Sequence, residues 1–385
     1  MRLAATCICL SILVILHACR GESPTPVAAA EPSLAALLGA NANDGFATAT
    51  TPRDFEFPRD HGPHKAFRNE WWYVTGNLDG ENGRRFGYEL TLFRFALAPG
   101  APSAESDWFT NQVYIGHFAI SNIEDDEFVF HERVSRGATG LAGSQSQAPR
   151  VWLYDWNLRY RPDTGRTGSW QLHAQTDDAL LDLSLDPTKP VVLQGVAGLS
   201  QKSADAANAS YYYSMPRLKT AGTLRLGDEE FSVQGLSWLD REWSSSALSA
   251  RQAGWDWFAV QLDDGTDLMF YQLRQTDGSI DEFSAGSLIK ADGSVVPLTT
   301  DDVEIDVLDY WDSPLGGTYP HGWHIRVAKE LLDLRVEPAM AAQELATFVR
   351  YWEGAVDVFG TRGANRITGR GYVELTGYAT AGAVE

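Results

Sequence analysis

From Glu70 onward the chain reads as strand after strand, each closed by a short Asp- or Gly-containing turn, and this rhythm restricts it to an all-β fold. Trp72, Val74 and Leu78 alternate with Trp71, Tyr73 and Asn77, the two-residue period of a half-buried strand. The turn Asp79-Gly80-Glu81-Asn82-Gly83 leads into a second strand from Arg85 to Leu97, which makes a hairpin. The same grammar recurs at Trp257 to Leu262, where Asp263-Asp264-Gly265 turns into Leu268 to Leu273. It recurs again at Gly286 to Lys290 with Asp292-Gly293. Long amphipathic helices are nearly absent: Leu181 to Leu185 alternates, and only Ser203 to Ala209 and Met340 to Ala346 hint at short helical or loop pieces. Such regularity indicates antiparallel barrels or sandwiches rather than a parallel sheet with crossover helices.

The first residues follow different rules. Arg2 precedes an apolar run from Leu3 to Leu16, too short for a spanning helix, which needs about 20 apolar residues, but suited to a signal peptide over residues 1–18. Leu16-His17-Ala18-Cys19 has the form of a bacterial lipobox, in which Cys19 receives the lipid; an ordinary secretory cut near Ala18 is the alternative, and both export the protein. All three cysteines, Cys7, Cys9 and Cys19, fall in this segment, so the rest of the chain offers no disulfide, thiolate nucleophile or Cys-ligated metal. Residues 19–53, rich in Ala, Pro, Ser, Thr, Asn and Gly, read as a tether. Arg20 after Cys19, in place of Asp, is compatible with sorting to the outer membrane, on its periplasmic face.

About 330 residues remain beyond the tether, more than one core usually serves. The Ser244 to Ala250 stretch breaks the alternation, which divides the body into domains at 54–245 and 246–385. A formal charge of -20 argues against nucleic acid and against electrostatic binding to anionic head groups. A ligand should therefore be neutral and apolar, or cationic. Thirteen Trp, fourteen Tyr and seventeen Phe supply a β-core, and they also suit the lining of a hydrophobic pocket.

The usual catalytic strings are missing: the sequence has no Gly-x-Ser-x-Gly, His-Glu-x-x-His or phosphate-binding Gly-rich loop. His61 with His64, and His321 with His324, have a ligand-like spacing but no third ligand in register, so they are read as hydrogen-bonded imidazoles and no metal site is expected. No cofactor is expected either. His117, in the apolar string Tyr114 to Ile120, is either a satisfied core residue or a cavity-facing acid or base. The densest constellation is Trp238-Leu239-Asp240-Arg241-Glu242-Trp243 followed by Gly254-Trp255-Asp256-Trp257-Phe258. In one reading Arg241 pairs with Asp240 or Asp256 and the indoles pack a domain junction. In the other, burial raises the pKa of a carboxyl among Asp240, Glu242 and Asp256, which then donates a proton, and nearby indole faces stabilise the resulting carbocation. Trp71, Tyr73, Trp238, Trp243, Trp255 and Trp257 are the candidate ligand-binding residues.

His61-Gly62-Pro63-His64, Asn69-Glu70-Trp71-Trp72-Tyr73-Val74-Thr75-Gly76, Gly116-His117-Phe118-Ala119-Ile120, the two Trp-rich strings above, Tyr351-Trp352-Glu353-Gly354-Ala355-Val356 and the Gly371 to Tyr378 end occur in one order. Together they resemble the AttH and carotenoid 1,2-hydratase family, over about Asp54 to Tyr378. The resemblance implies two lipocalin-like antiparallel β-barrels in tandem, with a ligand site in a barrel or at their junction. For the hydratase branch it implies cofactor-free addition of water to an acyclic isoprenoid alkene. Asp240 keeps the aspartate of the hydratase pattern, while the histidines that flank it there are absent here. For the AttH-like branch the resemblance implies an exported protein associated with an ABC transporter that moves lipids or lipoproteins. Three functions follow as candidates: a carrier of a hydrophobic small molecule, a cofactor-free hydratase or hydrolase, and a non-catalytic accessory of an export machine.

Overall fold

The computed structural model describes residues 45–379 apart from 82, 101–105, 164–167 and 247. The signal-like segment, Cys19 and most of the tether lie outside the described residues. The described chain is nearly all β, in two large antiparallel sheets, and the first hairpin forms as the alternation predicts: Asn69–Gly80 pairs with Arg85–Ala96, from Asn69 opposite Phe95 to Asp79 opposite Arg85. The Ser203 and Met340 segments are loops rather than helices, apart from the short strand Glu344–Leu345.

Among the described residues the first sheet has thirteen strands. Its centre runs in the order Glu127–Arg136, Gln112–Asn122, Arg85–Ala96, Asn69–Gly80, Glu229–Ser244, Ala209–Leu226. It then continues through Ala179–Pro187 to Ala142–Gln145. Its two ends curl back toward each other. Arg133, on one edge strand, pairs with Asp155 and donates to the Gln175 carbonyl (2.8 Å), and its neighbour His131 reaches Asp178 (2.8 Å). The result is a nearly closed barrel whose interior is filled with side chains, among them the fully buried Trp72, Trp156, Trp170 and Trp243.

The second sheet has ten strands among the described residues and forms a half-barrel. At its centre Gln252–Leu262 pairs with both Asp267–Gln275 and Asn365–Thr376, and the latter pairs with Tyr351–Arg362. Phe258, Val260 and Leu262 fill its own core with Trp323 and Trp352. Because side chains alternate across a strand, each sheet has a second face. Tyr73 and Trp238 from the first sheet meet Trp257, Ala259 and Tyr372 from the second in a separate buried cluster. These are two lipocalin-like sheets packed outer face to outer face, and the site lies in the seam.

Candidate functional site

The seam widens into a cavity of about 1080 Å³, counted with the space at its mouth, whose walls come from both sheets. Trp71, Phe93, Phe95, Trp255 and Trp257 make much of the wall apolar, and the half-exposed Phe348 stands at the rim. Its backbone N–H donates to Glu132 of the first sheet (2.7 Å). Into this apolar surface the strands deliver Asp240, Glu242, Glu353, Glu374 and His117, and the loop after Leu199–Gln201 adds Lys202.

Asp240 illustrates how the pleat builds the site. On Glu229–Ser244, residues 239, 241 and 243 point into the first barrel, and 238, 240 and 242 point into the seam. Asp240 lies opposite Tyr73 on one side and Ser214 on the other. Its Oδ1 accepts from Ser214 Oγ (2.5 Å) and Trp238 Nε1 (2.7 Å), and its Oδ2 accepts from the Tyr212 hydroxyl (2.5 Å). Burial pushes this carboxyl up to about 7, and the three donors hold back the rise without cancelling it. Asp240 is thus poised between acid and base at neutral pH.

The remaining carboxyls of the cavity differ in their partners. Glu242 pairs with Lys202 (3.3 Å), whose ammonium lies 3.9 Å from the Tyr271 ring centre. Burial opposes that charge, but Glu242 and Tyr271 outweigh it and keep Lys202 protonated. Glu374 accepts from Trp255 Nε1 (3.0 Å); burial raises it to about 7, the indole N–H lowers it, and Asp240 and Glu242 add to the rise. Glu353 accepts the Tyr73 hydroxyl at Oε2 (3.0 Å), and its Oε1 has no hydrogen-bond partner. Burial, with Glu374 and Glu89 nearby, raises its pKa well above the ordinary glutamate value. His117 meets the Tyr351 hydroxyl (2.6 Å), and burial lowers it to about 3, which leaves a neutral imidazole on the wall.

Of the residues expected from sequence, Asp240, Glu242, His117, Trp71, Tyr73, Trp255 and Trp257 line this one cavity. Trp238 stands behind it, joined to it by its hydrogen bond to Asp240. Two candidates face elsewhere. Asp256 points to the opposite side of its strand, where Arg274 (2.9 Å) and the Tyr378 hydroxyl (2.9 Å) engage it. Trp243 lies inside the first barrel, stacked on His64 with ring centres 3.6 Å apart. Arg241 pairs with neither Asp240 nor Asp256, but with Glu70 (3.0 Å). His61 bonds Tyr213 (2.6 Å) in the same barrel, and His324 pairs with Asp333 at the surface. Among the described residues no three His, Cys, Asp or Glu are grouped as a metal site.

Sequence reasoning missed Glu353, Glu374, Lys202 and Tyr212. The first two carried a usable signal, because each is a lone carboxylate two residues beyond a tyrosine on the same strand face: Tyr351 with Glu353, and Tyr372 with Glu374. Lys202 follows the short Leu199–Gln201 strand and carried no such signal.

The raised acids set a pH dependence. Asp240 and Glu374 bind protons more tightly in the folded chain than in the unfolded one, so the stability they lend is complete below about pH 4 and is lost as pH rises through about 7. Asp240→Asn should therefore flatten the decline in Tm across that interval, measured by thermal unfolding at a series of pH values. An unchanged slope would mean that Asp240 titrates as an ordinary carboxylate.

A family model described as AttH-like matches residues 48–378. No protein of curated function matches the sequence. Among solved structures, one assigned to AttH from Nitrosomonas europaea is 34% identical, aligns over 87% of this chain and 100% of its own, and superposes with a TM-score of 0.77. Kievitone hydratase from Nectria haematococca shares the fold at 16% identity, over 88% of this chain and 97% of its own, with a TM-score of 0.65. CghA, solved with Sch210972, is similar at 12% identity over 89% and 98% of the two chains, with a TM-score of 0.50.

Proposed function

Because the chain belongs to the AttH-like family, we propose that it binds a hydrophobic, lipid- or isoprenoid-like molecule in the seam cavity and adds water to it without a cofactor. The observation that carries this reading is the Glu353 carboxyl in an aromatic wall, its pKa raised by burial and its Oε1 without a hydrogen-bond partner. Glu353 gives its proton to an alkene carbon; the cation formed on the neighbouring carbon faces the Trp71 and Trp257 indoles, and water closes on it. The proton released by that water returns through the cavity carboxyls, of which Asp240 and Glu374 sit near neutrality and can accept it. The kievitone hydratase likeness supports the fold as a host for such chemistry.

Protein taken from its own membrane fraction and examined by native mass spectrometry should carry a co-purifying lipid or isoprenoid. Empty protein holding a transporter subunit would contradict the cavity reading and favour the accessory role.

We also propose that the protein is an exported lipoprotein held by Cys19, on the strength of the Leu16-His17-Ala18-Cys19 string. Cells fed labelled palmitate should label the wild type and not Cys19→Ser. Equal labelling of both would remove the anchor from the account.

A further inference from the structure

The deep end of the seam holds more polar atoms than the protein itself satisfies. Thr75 Oγ1, both carboxyl oxygens of Glu89, Thr91 Oγ1, Glu353 Oε1 and the Tyr372 hydroxyl are buried without a hydrogen-bond partner. They belong together. Thr75 lies directly opposite Glu89 in the first hairpin, and the Thr91 hydroxyl stands beside the Glu89 carboxyl without hydrogen-bonding geometry. Glu353 and Tyr372, from the second sheet, lie within electrostatic reach of Glu89 and of each other, and the Ser121 hydroxyl stands beside that of Tyr372 without hydrogen-bonding geometry. Left unmet, this many buried groups in one place would cost a large share of a domain's stability. A small molecule that both donates and accepts resolves the mismatch, since the hydroxyls and carboxyls here present both roles.

The same strand face continues outward. Two residues beyond Thr75, Asn77 donates through Nδ2 to the Gly371 carbonyl (2.9 Å), while its Oδ1 is again unmet. Asn77 lines a second hollow, a polar one of about 650 Å³ including its solvent side, whose walls include Asp79, Arg217, Gln261 and Arg370. An apolar ligand seated in the aromatic cavity would close the mouth at Phe348 to water, whereas this hollow belongs to a different part of the seam.

We propose that Thr75, Glu89, Thr91, Glu353 and Tyr372 form a binding site for a cluster of ordered water molecules, filled through the Asn77 hollow. Its use as the store of the water added to the ligand rests on the hydratase reading above; its existence does not.

A crystal structure of the protein at a resolution that places waters should show them bridging Glu89 and Glu353, and Thr75→Val combined with Glu89→Leu should empty that position. A direct hydrogen bond between the two carboxyls with no density between them, or a metal ion there, would overturn the site. Oxygen-17 relaxation dispersion counts long-lived internal waters in solution. The double variant should lose part of that dispersion, and Asn77→Leu should lengthen the residence time while keeping the number. An unchanged residence time in Asn77→Leu would overturn the entry route. Neither readout needs turnover, so failure of the hydratase reading and failure of the water site are told apart.

Discussion

Glu353→Gln should lower turnover of a bound alkene by roughly 10²- to 10⁴-fold while ligand affinity stays nearly unchanged. The substitution keeps the side chain's shape and an oxygen that can accept the Tyr73 hydroxyl now held by Glu353 Oε2. It removes the one thing the mechanism needs from this position, a transferable proton on an oxygen that no protein donor occupies. Rates measured against binding isotherms separate the two effects. A parallel loss of affinity and rate would make Glu353 a ligand-holding group. An unchanged rate would move the proton donor elsewhere, with Asp240 and Glu374 next in line because both titrate near 7.

The largest effect on stability should come from Glu70→Ala, which is expected to cost roughly 3–5 kcal/mol in urea unfolding. Glu70 is fully buried in the first barrel between two fully buried arginines: Arg94 Nε reaches Oε1 (2.5 Å) and Arg241 Nη2 reaches Oε2 (3.0 Å). Arg241 also donates to the carbonyls of Gly62 (2.7 Å) and Trp71 (2.8 Å) and lies over the Trp72 ring. Removing the carboxylate leaves two desolvated cations facing each other. Burial alone would raise the Glu70 pKa, but Arg94, the His64 hydrogen bond and Arg241 outweigh it and hold the group far below the carboxylate range. Its contribution is therefore present above its ordinary pKa of about 4.5 and is lost as pH falls toward the depressed value. A cost under about 1 kcal/mol would place this triad among ion pairs that merely balance their desolvation.

These two residues also explain how far the sequence could be read. Alternation alone located the sheets, because a half-buried strand must repeat every two residues and the turns between strands are short. The strand Glu229–Ser244 belongs to the first sheet and the next strand, Gln252–Leu262, to the second. Within the Trp238 to Trp243 string, however, proximity in sequence is not proximity in space. The pleat separates Asp240 and Glu242, in the seam, from Arg241 and Trp243, in the barrel. It separates Trp255 and Trp257 from Asp256 in the same way.

The rest of the site was out of reach for a different reason. Tyr73 and Glu353, which define the proposed proton donor, are separated by 280 positions, and the Tyr351 hydroxyl that meets His117 is 234 positions away from it. Contacts of that span depend on how the two sheets dock, which no local pattern encodes. The strings that identified the family already contained Glu353 and Glu374. What marks these two as site residues is burial beside other acids, and that becomes visible only once the sheets face each other.

The proposed chemistry requires the seam carboxyls to keep their protons in water at neutral pH, and infrared spectroscopy of protein with isotope-labelled glutamate reads this directly. The prediction is a protonated-carboxyl band at pH 7 that weakens in Glu353→Gln and changes further as Glu374 titrates near 7. A spectrum with no such band until the pH falls to the ordinary glutamate range, about 4.3, would contradict it.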